Sequence, residues 1–141
     1  MSSLTASVAA PTMNVPDTAL GRLYEEHIRL VLEKDIEALL DQYTEDAVLI
    51  SSFEKEPKYF RGREELRAHF QGILGIEGLQ SEIAFWGETE EPQTLMVIEA
   101  ITMQTADGEA HMRFADNWVL RDGKIAIHFA GMVQYPDGSL A

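Results

Sequence analysis

Apolar residues recur at helical spacing early in the chain: Leu20, Leu23, Tyr24, His27, Leu30 and Val31 share one stripe. Asp17-Thr18 after Pro16 supplies a cap, and this helix is predicted to run to about Lys34. Asp35 caps a second, shorter helix whose buried side is Ile36, Leu39, Leu40 and Tyr43. Residues 47–51 read as a first strand, and Tyr59-Phe60 as a short extended piece ended by Arg61-Gly62. A third helix is predicted over residues 63–74, with Leu66, Phe70, Ile73 and Leu74 inward and His69 bordering that face. After Gly75 and Gly78 come a strand near residues 80–88, a long hairpin over 94–120 and a last strand over 124–134. Helices followed by a run of strands predict an α+β domain, with helices on one face of a curved antiparallel sheet.

The hairpin carries the chemistry. Asp107-Gly108 matches a two-residue type I′ turn, which sets Ala106 opposite Glu109. Counting outward puts Met103 opposite Met112, Ile101 opposite Phe114, Val97 opposite Trp118 and Leu95 opposite Leu120 on one apolar face. Within that face Glu99 falls opposite Asp116. Directly opposed side chains have Cβ atoms roughly 4.5–5.5 Å apart, and like charges there repel. Either the pair is wet, at a sheet end or against a backbone amide, or one carboxyl stays protonated. The second arrangement makes a general acid and a general base from one residue type.

The 141-residue chain has the size of one domain, expected over residues 18–135 between an N-terminal tail (1–17) and a C-terminal tail (136–141). Twenty-four acidic against eleven basic residues give a charge of −13, which argues against nucleic acid or an anionic membrane as partner. Without cysteine there is no disulfide, thiolate metal site or cysteine nucleophile. His27, His69, His111 and His128 lack close metal-ligand spacing, so neither metal nor cofactor is expected. The absence of a long apolar run and of a signal-peptide pattern makes the cytoplasm the expected compartment.

The element order, with the segments DIEALLDQYTEDAVL, YFRGREELRAHF and WVLRDGKI, resembles the SnoaL-like branch of the nuclear transport factor 2-like superfamily over residues 20–134. The resemblance implies a conical α+β barrel, a strongly curved sheet wrapped around three helices and enclosing a pocket. It also implies that Glu99 and Asp116 point into that pocket. Members include polyketide cyclases, ketosteroid isomerases, scytalone dehydratase, limonene epoxide hydrolase and non-catalytic domains, so fold alone does not decide function. Against ketosteroid isomerase, Asp116 matches the protonated acid of the oxyanion hole and Tyr43 a supporting tyrosine. His27 replaces the oxyanion tyrosine and Ser51 the aspartate base. The epoxide hydrolase's Asp-Arg-Asp positions hold Glu99, Ile101 and Ala130, so neither reaction transfers.

For the last strand, a strict two-residue turn at Asp122-Gly123 would pair Arg121 with Lys124 and turn His128 outward. A three-residue loop would turn His128 inward, as the resemblance implies, and that placement is adopted. The expected function is a cofactor-independent acid–base enzyme, of isomerase, dehydratase or cyclase type, acting on a small apolar molecule. Its candidate catalytic residues are Asp116, Glu99, His128 and His27. Candidate substrate contacts are Tyr24, Tyr43, Ser51, Phe60, His69, Trp86, Ile101, Met103, Phe114, Trp118, Ala130 and Met132. The alternative is a non-catalytic binding or interaction domain. The outer hairpin face (Met96, Ile98, Ala100, Thr102, Ala115, Asn117, Val119) is apolar enough to predict a homodimer under either function.

Overall fold

A computed structural model of the chain describes residues 14–54, 56–73, 79–135 and 140. The predicted C-terminal tail, apart from Leu140, and most of the N-terminal one lie outside the described residues. Helix α1 (Ala19–Glu33) starts at Thr18, whose side-chain oxygen accepts the Gly21 amide at 3.0 Å. It ends at Lys34, a non-glycine residue with a left-handed φ of 60°. Asp35 caps α2 (Ile36–Leu40) by accepting the Ala38 amide. The chain then enters β1 (Tyr43–Ser52), so Tyr43 opens a strand instead of closing the helix. Strand β2 (Lys58–Arg61) leads into α3 (Gly62–Ile73). The remainder is β3 (Leu79–Glu90), β4 (Gln93–Thr105), β5 (Gly108–Arg121) and β6 (Lys124–Gln134).

The strands form one six-stranded sheet in the order β2-β1-β6-β5-β4-β3, with β1 and β6 parallel and every other pair antiparallel. It is open at β2 and β3, which corrects the expected barrel: the three helices cover one face of an unclosed sheet. Leu20, Tyr24 and Leu30 of α1, Leu39 and Leu40 of α2, and Leu66 and Phe70 of α3 meet Leu49, Leu95, Val97, Trp118, Leu120 and Ile125 of the sheet in one core. An ion-pair clamp of Arg63 and Arg67 with Glu37 and Asp41 joins α2 to α3 at the surface.

Two turns set the site. At the first, Thr105 pairs with Gly108, whose φ is 111°, and the loop is Ala106-Asp107. The predicted pairing was therefore two residues out: Glu99 lies opposite Phe114, and Asp116 opposite Val97. A turn with one left-handed glycine after it replaces the type I′ turn, which needs positive φ at both loop residues. A slip of two keeps every side chain on its predicted face, so the two acids remain together, as diagonal neighbours. At the second turn Asp122 and Gly123 have φ of 53° and 78°, and Arg121 does pair with Lys124. His128 nevertheless faces inward. Leu120 pairs with Ile125 but Val119 with Ile127, so Ala126 forms a bulge that reverses the alternation of β6.

Candidate active site

The inner face of the sheet is a grid. One cross-strand row runs Leu95, Trp118, His128, Leu49 and Phe60, and the next runs Val97, Asp116, Ala130, Ser51 and Lys58. Glu99, Phe114 and Met132 form a third. The helices close over this floor and leave a cavity of about 790 Å³. His27 looks in from α1 and His69 from α3.

Glu99 is 3 % exposed and accepts a hydrogen bond from the Ser81 hydroxyl at 2.8 Å. Burial, with the nearby Asp116 adding to it, pushes its pKa up to about 8, so this acid is protonated at neutral pH. Asp116 stands at the end of a buried chain: Tyr43 OH to His128 Nδ1 is 2.8 Å, and His128 Nε2 to Asp116 Oδ1 is 2.7 Å. Burial and the charge of Asp116 hold the Tyr43 phenol well above its ordinary pKa, so it keeps its proton. A neutral phenol donating to Nδ1 places the imidazole proton on Nε2, where it is donated to Asp116; the tautomer is assigned from this network.

His27 Nδ1 lies 2.9 Å from Gln42 Oε1, and the Gln42 amide nitrogen donates to the Leu23 carbonyl. The Gln42 oxygen can only accept, so His27 donates through Nδ1 and keeps a lone pair on Nε2. Burial, then His128, lowers its pKa to about 4, and burial does the same to His69. Both rings are neutral at physiological pH. The Tyr24 hydroxyl is directed at Glu99 and Asp116, and burial, then these two acids, hold its pKa well above the ordinary value, so it keeps its proton.

The cavity is lined by the expected Asp116, Glu99, His128, His27, Ser51, Phe60, His69, Ile101, Phe114, Ala130 and Met132. Tyr24, Tyr43, Trp86 and Trp118 were expected there too but do not line it. Tyr24, Tyr43 and Trp118 sit in the core behind it, with Tyr24 and Trp118 rings 5.4 Å apart, and half-buried Trp86 donates its indole N–H to Glu88. The side chain of Met103 lies outside the described residues. Ile28, Val31, Leu32 and Met112 add apolar wall, while Phe53, Glu54, Glu56, Lys58 and Tyr135 also border the cavity. Ser81 and Gln42, which hold Glu99 and His27, were not anticipated. Ser81 was masked by a register shift at Ala84 that breaks the alternation of β3, and Gln42 by its place in a short polar connection.

Among the described residues no group of three His, Cys, Asp or Glu is arranged to hold a metal, and no helix is long and apolar enough to cross a membrane. No curated protein matches the chain. Among solved structures, the chain is similar to the epoxide hydrolase/cyclase-like enzyme SalBIII of polyether salinomycin pyran ring formation, at 20 % identity and TM-score 0.64 over 79 % of this chain and 88 % of that one. It is similar to RV0760c of Mycobacterium tuberculosis, solved with estradiol-17beta-hemisuccinate, at 15 % identity and TM-score 0.66 over 86 % and 98 %. A third is an NTF2-like protein of Anabaena variabilis, at 15 % identity and TM-score 0.69 over 84 % and 89 %. At such identities these neighbours establish the fold alone. The SnoaL-like domain family matches residues 24–128, the span that contains both acids, the histidine chain and nearly all of the helical cover, and the chain belongs to that family.

Proposed function

We propose that the protein is a cofactor-independent acid–base enzyme acting on a small, largely apolar molecule, by isomerisation, dehydration or cyclisation. The observation that carries this reading is the pairing of a protonated Glu99 with an Asp116 held by the His128 N–H in a mostly apolar cavity. Asp116 takes a proton from a carbon or hydroxyl of the substrate. Glu99 donates a hydrogen bond to the oxygen on which charge develops. His128 fixes the orientation of Asp116, and Tyr43 fixes that of His128.

A substrate-independent assay tests it. The enolisable ketone 2-tetralone is incubated with the protein in D2O, and exchange at its α-carbon is followed by NMR. The expected result is acceleration over buffer that falls by about 10²–10⁴-fold in Asp116→Asn. Exchange that is unchanged in this variant removes Asp116 from the chemistry. Absence of exchange in the wild type favours the second reading, a non-catalytic binding domain, for which Tyr43, His128 and Asp116 satisfy one another.

The reading includes a homodimer through the outer face of the sheet. Its support is the exposure of Phe85, Met96 and Ile127 on the side away from the helices.

A further inference from the structure

Buried polar groups are nearly always hydrogen-bonded, and each exception calls for a reason. Among the described residues, the buried His27, Gln42, Glu99, Asp116 and His128 each make a side-chain hydrogen bond to protein. Ser51 and His69, each 9 % exposed, make none, and their polar atoms are not sealed from the cavity. Both line the cavity. The Trp118 indole N–H also lacks a partner, but it does not line the cavity.

The grid fixes where this unsatisfied pair lies relative to the acids. Ala130 pairs with Asp116 on one side and with Ser51 on the other. Asp116 and Ser51 are therefore two strands apart, roughly 9–10 Å. Only a methyl group stands between them on the floor. His69 sits on the Ser51 side: its ring packs against Phe60, centroids 4.6 Å apart, and Phe60 is paired with Leu49, two residues before Ser51. A flat apolar body can thus lie over Ala130 with one end at the acids and the other at Ser51 and His69.

We propose that Ser51 and His69 form a second polar subsite that takes an uncharged oxygen function, a hydroxyl or carbonyl, at the far end of the ligand. A hydroxyl and a neutral imidazole can each both donate and accept, which suits such an oxygen. The surroundings disfavour an anion: Glu54 and Glu56 also border the cavity, and among the described residues the one lysine or arginine that lines it, Lys58, is 3.4 Å from Glu54. The substrate class is then a neutral, elongated apolar molecule with oxygen at both ends. This rests on the reading that the cavity takes a small apolar molecule, and not on any reaction there.

The test is binding, so it stands apart from turnover. The probes are 2-naphthol, 2,6-dihydroxynaphthalene and 6-hydroxy-2-naphthoate, with dissociation constants measured by calorimetry. The wild type is expected to prefer the diol over 2-naphthol by about tenfold, the effect of one added hydrogen bond. The double variant Ser51→Ala/His69→Phe should abolish that preference, read as the ratio of the diol and 2-naphthol dissociation constants within the variant. Ser51→Ala alone, the milder change, should reduce it, and His69→Gln, which keeps a donor and an acceptor, should retain part of it. Equal affinity for diol and naphthol in the wild type, a preference unmoved by the double variant, or no binding of any probe would overturn the proposal. Tighter binding of the naphthoate than of the diol would overturn its neutral-ligand claim. A preference that behaves as expected without any 2-tetralone exchange would retain the subsite and discard the enzyme.

Discussion

At the scale of single residues, Glu99 is the group whose environment departs furthest from water. Its pKa is raised from 4.5 to about 8, chiefly by burial. In the unfolded chain it ionises near 4.5 and in the fold it does not. Its contribution to stability is therefore full below about pH 4.5 and declines as pH rises toward 8. Glu99→Gln removes that decline and keeps an acceptor for the Ser81 hydroxyl. Urea denaturation across pH should show the variant gaining on the wild type from pH 4.5 to 8, by up to a few kcal/mol, then levelling off; parallel curves would mean a hydrated carboxylate. His27 and His69 act oppositely, their contribution being full above about pH 6.5 and lost as pH falls toward 4. Much of this scale was legible: a carboxylate inside an apolar alternation announces itself. The partners were not, because Ser81 and Gln42 reach Glu99 and His27 through strand and helix placements that depend on tertiary packing.

At the scale of elements, caps and stripes placed α1 and α3 to within a residue or two, whereas α2 ends at Leu40, three residues short of the Tyr43 assigned to it. Lys34 shows local cost accepted at a helix end, since a left-handed φ of 60° suits glycine and not lysine. Lys34→Gly is expected to raise stability by about 1 kcal/mol, read from the chemical denaturation midpoint. No gain would mean that the lysine side chain offsets its backbone strain. Strand registers were less legible. Asp107-Gly108 and Asp122-Gly123 share a dipeptide, yet only the second folds as a type I′ turn. The two-residue slip at the first turn did no harm to the reading of faces. The bulge at Ala126 has no sequence signal of its own, because the apolar residues of β6 fit the unbulged ladder. The inward His128 came from family resemblance, and periodicity argued against it.

At the scale of the molecule, the sheet has helices on one face and none on the other. Phe85 is 50 %, Ile127 43 % and Met96 40 % exposed on that bare side. Exposed apolar surface of this kind is what the proposed dimer would cover. The proposed dimer predicts twice the chain mass at micromolar concentration by sedimentation, and dissociation to the monomer on Ile127→Lys with the helical signal intact. A monomeric wild type would refute it. The open sheet was the part of the fold that pattern could not give: alternation reports two faces per strand, and closure depends on how the edge strands β2 and β3 lie in space.

The Ala126 bulge also bears on how hydrophobic burial and open cavity are traded in this chain. β6 carries two interleaved sets of side chains, Ile127 and Phe129 in one, His128 and Ala130 in the other. A regular ladder from the same turn would send the greasier set inward, filling the cavity with branched and aromatic carbon and giving a tighter core. The extra residue sends inward the set that hydrogen-bonds Asp116 and leaves an open floor. One backbone irregularity thus forgoes hydrophobic burial and commits the strand to the floor of a cavity with polar groups in it.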